Sequence, residues 1–305
     1  MKNTVSPHEP DSSNHQTAAT AAAQPAVSII MLTYNRPQFI GRAIQSVVEQ
    51  SFEDWELIIV QDGDQELTKA IVNEWQARDG RLRYFHRDSP GNVASALNFG
   101  VKQARGELIA ILDDDDQWLS HDKLSRQVDF LQAHPDYIAC GGGAIVIDEH
   151  EKEQLRYLKP EDDAAIRSKI LQANPMAHST TVYRKSAAEQ LGLYDESLPG
   201  YQDWDLFLKM ARVGKLHNFP EPLMYYTLWG GGTTYSRLRL NAKSAVRIVA
   251  RHRKEFPGVP LAHLLAWSYL LYTYLPASFR SASFSFLSRL KKRFYSSAAS
   301  DVRSS

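Results

Sequence analysis

Glu107-Leu108-Ile109-Ala110-Ile111-Leu112, followed at once by Asp113-Asp114-Asp115-Asp116, is a short apolar run that ends in four acids. A run of this length and character after Gly106 predicts a buried strand. Four carboxylates at its end repel one another, so the cluster opposes folding unless positive charge sits among them. A divalent cation supplies that charge most simply, because hard cations take carboxylate oxygens. Strand ends in open α/β sheets are also where ligands bind. The competing reading is a solvated acidic turn capping a helix that starts near His121.

Upstream, VSIIMLTY (27–34) predicts a first buried strand. Pro37 suits the first turn of a helix in which Ile40, Ala43, Ile44, Val47 and Val48 repeat at helical spacing. ELIIV (56–60) predicts a second strand ending at Gln61-Asp62-Gly63-Asp64. A helix over 66–76, a strand over 82–86, a helix over 92–105 and a fourth strand over 107–113 follow. Strands and helices alternating through short links predict a parallel sheet. Beyond Asp122 a helix runs to about Ala133, and Tyr137 to Asp148 forms an apolar strand. Gly141-Gly142-Gly143 within that strand predicts a bulge or a close backbone approach. A helix near 162–172, a strand over 178–184, an amphipathic helix over 203–213 and a late strand over 223–229 complete the body, before Gly230-Gly231-Gly232.

The length of 305 residues, with 43% hydrophobic and 23% charged residues, fits one large soluble domain or two small ones. A net charge of zero hides an asymmetry: residues 237–293 hold twelve Lys/Arg and one acid, whereas residues 1–236 carry a net charge of −11. The single cysteine, Cys140, has no internal disulfide partner and reads as a small buried hydrophobe. This fits a reducing, cytoplasmic setting. No His/Cys group has zinc-ligand spacing. Residues 1–25 are rich in Ala, Ser and Thr, lack the apolar core of a signal peptide and predict a disordered tail.

Three strand ends carry functional groups on what becomes one sheet edge: Thr33-Tyr34-Asn35, Asp62-Gly63 and Asp113 to Asp116. Neither G-x-G-x-x-G nor G-x-x-x-x-G-K-S/T follows the first strand. Phosphates at this edge need another source of positive charge, and an acidic body favours a metal ion over Lys/Arg clamps.

VSIIMLTYNRP (27–37), ELIIVQDG (56–63), GNVASALNFGVKQARGELIAILDDDD (91–116), HSTTVYRKS (178–186) and YQDWDLFLKMA (201–211), in this order, resemble the family 2 glycosyltransferases from about residue 25 to 235. The resemblance implies the α/β GT-A fold: a Rossmann-like, mixed and mostly parallel central sheet flanked by helices. It implies a domain over 26–236, with a nucleotide-binding half (26–116) and an acceptor half (117–236), and a basic helical extension over 237–305. The implied reaction is inverting transfer of a sugar from a nucleoside diphosphate sugar, expected to be UDP-linked, to a hydroxyl of a glycan or lipid-linked glycan. Surface polysaccharide assembly is the setting implied.

Within that resemblance Tyr34 stacks on the base, Thr33 and Asn35 flank it, and Asp62 accepts the N–H of a uracil-like base. Asp113 touches the ribose and Asp115 holds Mg²⁺ or Mn²⁺. With four acids in a row the register stays open: Asp114 is counted with the donor contacts, and Asp116 takes the metal beside Asp115 or in its place. The ion bridges the diphosphate and stabilises charge on the leaving group. Asp203 is the general base, here preceded by Gln202 where relatives carry Glu. Its other reading is a helix cap. Asn98 and Gly91-Asn92 match a donor-side segment, but Leu97 stands where many relatives carry Arg. His178 and Arg184 are candidates for the acceptor side, and Trp229 with the glycine triplet for a lid.

LAHLLAWSYLLYTYL (261–275) falls short of the ~20 apolar residues a spanning helix needs. With the Phe/Leu/Lys/Arg mixture up to Tyr295 it fits a helix lying on the inner, anionic face of a membrane, or else a helical pair covering the core. No nucleic-acid fold is visible. Two other functions stay open: a non-catalytic nucleotide- or glycan-binding relative, and a sugar-nucleotide pyrophosphorylase, which needs a basic Gly-rich loop after the first strand.

Overall fold

Alternation along β1 (Val27–Thr33) builds two cores at once. Val27, Ile29 and Met31 enter one apolar cluster with α1 (Pro37–Val48), while Ile30 enters the other with α3 (Val93–Gln103). The computed structural model describes residues 24–88, 91–229, 237–276 and 279. Residues 1–23, Gly230-Gly231-Gly232 and the basic stretch 280–305 lie outside these, and with them the expectations of a tail, a lid and a terminal basic helix.

β1 pairs in parallel with β2 (Trp55–Asp62) and β4 (Leu108–Ile111), and β2 pairs in parallel with β3 (Leu82–Arg87). α1, α2 (Glu66–Arg78) and α3 provide the crossovers that parallel neighbours require. The chain beyond β4 adds β5 (Gln117–Trp118), α4 (Lys123–Ala133), β6 (Tyr137–Asp148), β7 (Glu153–Tyr157), α5 (Asp163–Lys169), β8 (Val182–Arg184), α6 (Lys185–Gln190), α7 (Gln202–Val213) and β9 (Lys215–Leu228). One mixed sheet results, in the order β3-β2-β1-β4-β8-β6-β9-β5, with β7 on β6. Beyond β4 the pairing turns antiparallel, except for the long parallel β6–β9 ladder.

The glycine triplet in β6 does both things expected of it. The β6–β9 register shifts between Gly141 and Gly143, and a Cβ on Gly143 would collide with the carbonyl oxygen of Tyr157. Cys140 is buried, and burial pushes its thiol up to about 12, which leaves it inert as a nucleophile.

Residues 178–184 are not one strand. His178 to Thr180 form a 3-10 turn and the strand begins at Val182. The hydroxyls of Thr180 and Thr181 donate to the carbonyls of Ala177 and His178, both at 2.7 Å, so local side-chain bonds displace the sheet ladder. β9 starts eight residues before the expected 223; Pro220, Pro222 and the polar residues around them disguise a strand paired with β6.

The C-terminal helices α8 (Leu238–His252) and α9 (Val259–Tyr272) pack onto this body. Ala245, Ile248 and Val249 of α8 share the core with Leu206, Phe207 and Met210 of α7. Buried Asp205 pins the two helices together, accepting from Arg251 at 2.7 Å and pairing with His252 Nε2 at 2.9 Å and Lys209 at 2.9 Å. Burial alone would raise its pKa, but His252, Lys209 and Arg251 outweigh burial and hold the carboxyl far below its ordinary range. Asp205→Ala leaves these groups without their anion and should cost about 3–5 kcal/mol in urea or thermal unfolding. A carboxyl lowered in the folded state contributes stability that is full above its unfolded pKa of ~3.9 and is lost as pH falls below it. The wild type should therefore lose stability more steeply than Asp205→Ala below about pH 4.

Candidate active site

The carboxyl ends of β1, β2 and β4 open into one cavity of about 560 Å³. Thr33, Tyr34, Asp62, Asp113, Asp115, Asp116 and Asp203 all line it. This edge follows from topology: parallel strands joined by right-handed crossovers present their C-terminal ends together. Tyr34 is 59% exposed at the mouth. Asn35, in the left-handed conformation (φ 54°), turns the chain there and is not part of the lining.

One acid of the four turns away. Asp114 is fully buried, and its Oδ1 accepts from Arg36 at 2.7 Å, outside the cavity lining. The donor contact expected of it is therefore replaced by an internal ion pair. Asp113, Asp115 and Asp116 remain, with one carboxylate oxygen from each within 4.8 Å of the others. Asp115 lies 3.1 Å from Arg36 through Oδ1 and accepts from Trp229 Nε1 at 2.8 Å through Oδ2. Asp116 is buried and accepts from Ser179 Oγ at 2.7 Å and from the Thr227 N–H at 3.1 Å.

Burial pushes Asp114 up to about 7, with Arg36 pulling against it. Burial also raises Asp115, and it raises Asp116 strongly with help from the charges of Asp115 and Asp113. Burial would lower the Arg36 pKa, but Asp114, Asp115 and Asp113 reverse that and raise it. Among the described residues no Lys or Arg pairs with Asp113 or Asp116, so Arg36 only partly balances the cluster. Three converging hard oxygen donors with charge still to be met fit Mg²⁺ or Mn²⁺.

At the second strand end, Asp62 accepts from the Gly91 N–H at 3.2 Å and lies 3.4 Å from Arg87. Burial raises its pKa against both partners. Across the cavity, Asp203 sits in the first turn of α7, after the left-handed Tyr201, and accepts from Asn174 Nδ2 at 2.5 Å. His178 lines the cavity as well, its Nε2 3.0 Å from the Tyr194 hydroxyl. Tyr194 is buried: burial raises its pKa first, then Tyr183, with the charges of Asp203 and Asp113 adding to the rise.

Besides Asn35 and Asp114, two more expected residues lie outside the lining. Asn98 does not reach the cavity; its amide donates to the Tyr194 carbonyl at 2.9 Å and to Glu196 at 2.8 Å, and its oxygen accepts the Tyr194 N–H at 3.0 Å. It clamps the segment that carries Tyr194. Arg184 bonds the carbonyls of Tyr137 and Leu131, so it ties β8 to α4 rather than facing an acceptor. Leu97 is buried in the core, and the cavity's long cations are Arg36, Lys159 and Arg237. Sequence reasoning missed Arg36, whose signal was a cation three residues past the end of β1 at an acid-rich edge. Asn174 carried no signal in sequence.

The profile of Glycosyl transferase family 2 matches residues 28–192, more than half of the chain. The chain belongs to this family. It is 30% identical over 238 residues to an uncharacterized glycosyltransferase of Rickettsia felis, covering 76% of this chain and 37% of that protein. The chain thus spans little more than a third of that relative's length. It is 30% identical over 203 residues to EpsE of Bacillus subtilis, named as a glycosyltransferase, covering 65% and 72%. It is 28% identical over 201 residues to the amylovoran biosynthesis glycosyltransferase AmsE of Erwinia amylovora, covering 65% and 74%.

Among solved structures, the mannosyltransferase PcManGT of Pyrobaculum calidifontis, in complex with GDP-Man and Mn²⁺, superposes with a TM-score of 0.61 at 20% identity, over 87% of this chain and 81% of that one. TarS of S. aureus with UDP-GlcNAc gives 0.58 at 18% identity, over 75% and 73%. At such identities the likeness is one of fold, and the fold is GT-A.

Proposed function

We propose that this family 2 member is an inverting glycosyltransferase that moves a sugar from a nucleoside diphosphate sugar to an acceptor hydroxyl. One observation carries the reading: three converging carboxylates at the end of β4 and a fourth, Asp203, on a facing helix line the same cavity. Asp113, Asp115 and Asp116 would hold the divalent cation, which when bound offsets charge on the diphosphate. Asp203 takes the proton of the acceptor hydroxyl as its oxygen bonds to the anomeric carbon. The bond from that carbon to the phosphate oxygen breaks on the opposite face, so the anomeric centre inverts and the nucleoside diphosphate leaves. Asn174 holds the Asp203 carboxylate in place.

The base is a narrower question. An acceptor at Asp62 suits the N3–H of uracil, but guanine offers N1–H and an amino group to the same oxygens. Solved proteins of this fold bind either UDP- or GDP-sugars. We therefore read the donor as a UDP- or GDP-sugar. AmsE, by its name, serves the biosynthesis of a polysaccharide, which supports a glycan or lipid-linked glycan acceptor at the cytoplasmic face of the membrane.

Incubation with UDP- and GDP-sugars and Mn²⁺ tests the reading. Release of nucleoside diphosphate, faster with a glycan acceptor, is expected; a nucleoside triphosphate formed from the sugar nucleotide only when pyrophosphate is added would mark a pyrophosphorylase instead. Asp62→Ala should raise the donor KM about tenfold with a smaller change in kcat, because a bond to the base is made equally in ground and transition states.

A further inference from the structure

Helix α9 buries its small residues and exposes its large ones. Ala262 and Ala266 enter the core, whereas Leu261, Leu264, Leu265, Trp267 and Leu271 are 44–66% exposed. Tyr274 continues the exposed face. A helix built only for water does the opposite. From Phe256 to Phe279 the chain has no Lys, Arg, Asp or Glu. A continuous apolar face of this kind marks an interaction surface.

Charge says what covers it. Seven Lys/Arg and one acid precede the helix between 237 and 255, and five Lys/Arg with no acid follow between 280 and 293. The Arg239 guanidinium lies 4.3 Å over the exposed Tyr274 ring, which puts a cation at the rim of the apolar face. A second copy of the chain would bring the same cations to the seam, and the chain's own basic end would do likewise. An anionic bilayer meets both features: apolar side chains enter the boundary of the acyl region, Trp and Tyr sit at headgroup level, and cations pair with the headgroups. No described helix is long and apolar enough to cross a membrane, so α9 would lie in the plane of the surface.

The same helix adjoins the acceptor side of the cavity. Tyr269, on α9, places its hydroxyl 3.5 Å from that of Tyr201, two residues before Asp203. Arg237 and Asn241, at the start of α8, line the cavity themselves. We infer that α9 lies in the headgroup layer of an anionic membrane and presents the Asp203 side of the cavity to a lipid-linked acceptor. The acceptor part of this inference rests on the proposed transferase reading; the membrane part does not.

Sedimentation of the full chain with phosphatidylglycerol/phosphatidylcholine vesicles tests it. The protein should pellet with these vesicles, and about tenfold less with phosphatidylcholine alone or in high salt. Leu264→Glu/Trp267→Glu should weaken vesicle binding at least about tenfold while donor hydrolysis in detergent-free buffer stays unchanged. The milder Leu264→Ser/Leu271→Ser should do the same in part, which guards against misfolding of the first variant. A wild type that stays in the supernatant, or variants that pellet as the wild type does, would overturn the inference. So would a wild-type dimer in light scattering that the double variant converts to monomer. Absent donor turnover with intact vesicle binding would instead count against the transferase chemistry and leave the membrane surface standing.

Discussion

Asp115→Ala should remove metal-dependent donor binding, weakening the affinity for UDP- or GDP-sugar in Mn²⁺ by about a hundredfold or more, since loss of even a supporting residue at a metal site costs ~10–100-fold. The carboxylate takes part in the group of three whose oxygens lie within 4.8 Å of one another. Its removal leaves Asp113 and the buried Asp116, whose oxygens are already engaged by Ser179 and Thr227. It also lets Arg36 move wholly onto Asp114, so the cluster loses an anion and keeps its cation. Asp114→Asn is the matched control. Asp114 faces Arg36 and not the cavity, so this variant should lower the melting temperature and leave Mn²⁺-dependent binding within a few-fold of wild type. Calorimetric titration of donor with and without Mn²⁺ separates the two. Equal donor affinity for Asp115→Ala and wild type in Mn²⁺ would mean that the ligand set has been misassigned.

That contrast could not be drawn from sequence, because four consecutive acids look alike until the backbone fixes which way each points. What was legible were features set by a few neighbouring residues. The apolar runs 27–33 and 108–111 become strands because both their faces are buried, and their ends meet because parallel strands share one edge. What was not legible depends on contacts distant in the chain. Asn98 looks like a polar residue on a helix next to a donor-side turn, yet residues 194–196, nearly a hundred positions away, take all its hydrogen-bonding groups. Residues 215–222 look like a loop because their side chains are mixed and two are prolines, yet the β6 edge supplies the pairing that makes them strand. The helix α8 reads as a charged extension, yet one buried acid, Asp205, draws its Arg251 and His252 inward and seats its apolar face on α7.

Asp203→Asn should keep donor binding and lower kcat about 10²–10⁴-fold, the range that a positioned general base supplies. The substitution preserves size and a hydrogen-bonding oxygen for Asn174, so the cavity and the first turn of α7 should survive it. It removes only the capacity to take a proton. No Lys or Arg pairs with Asp203 among the described residues, which leaves its second oxygen available to an acceptor hydroxyl. Gln202 beside it also lines the cavity but has no carboxylate, so it cannot substitute as base. The cap reading of the sequence does not hold, because the N-cap of α7 is Tyr201; a residue that only filled the first turn would tolerate Asn, and turnover would then be unchanged. The two roles thus predict opposite results from one variant, read as kcat at saturating donor beside donor affinity by titration. Full activity in Asp203→Asn would reduce this residue to a first-turn polar group of α7 and return the search for the base to the other groups that line the cavity, His178 among them.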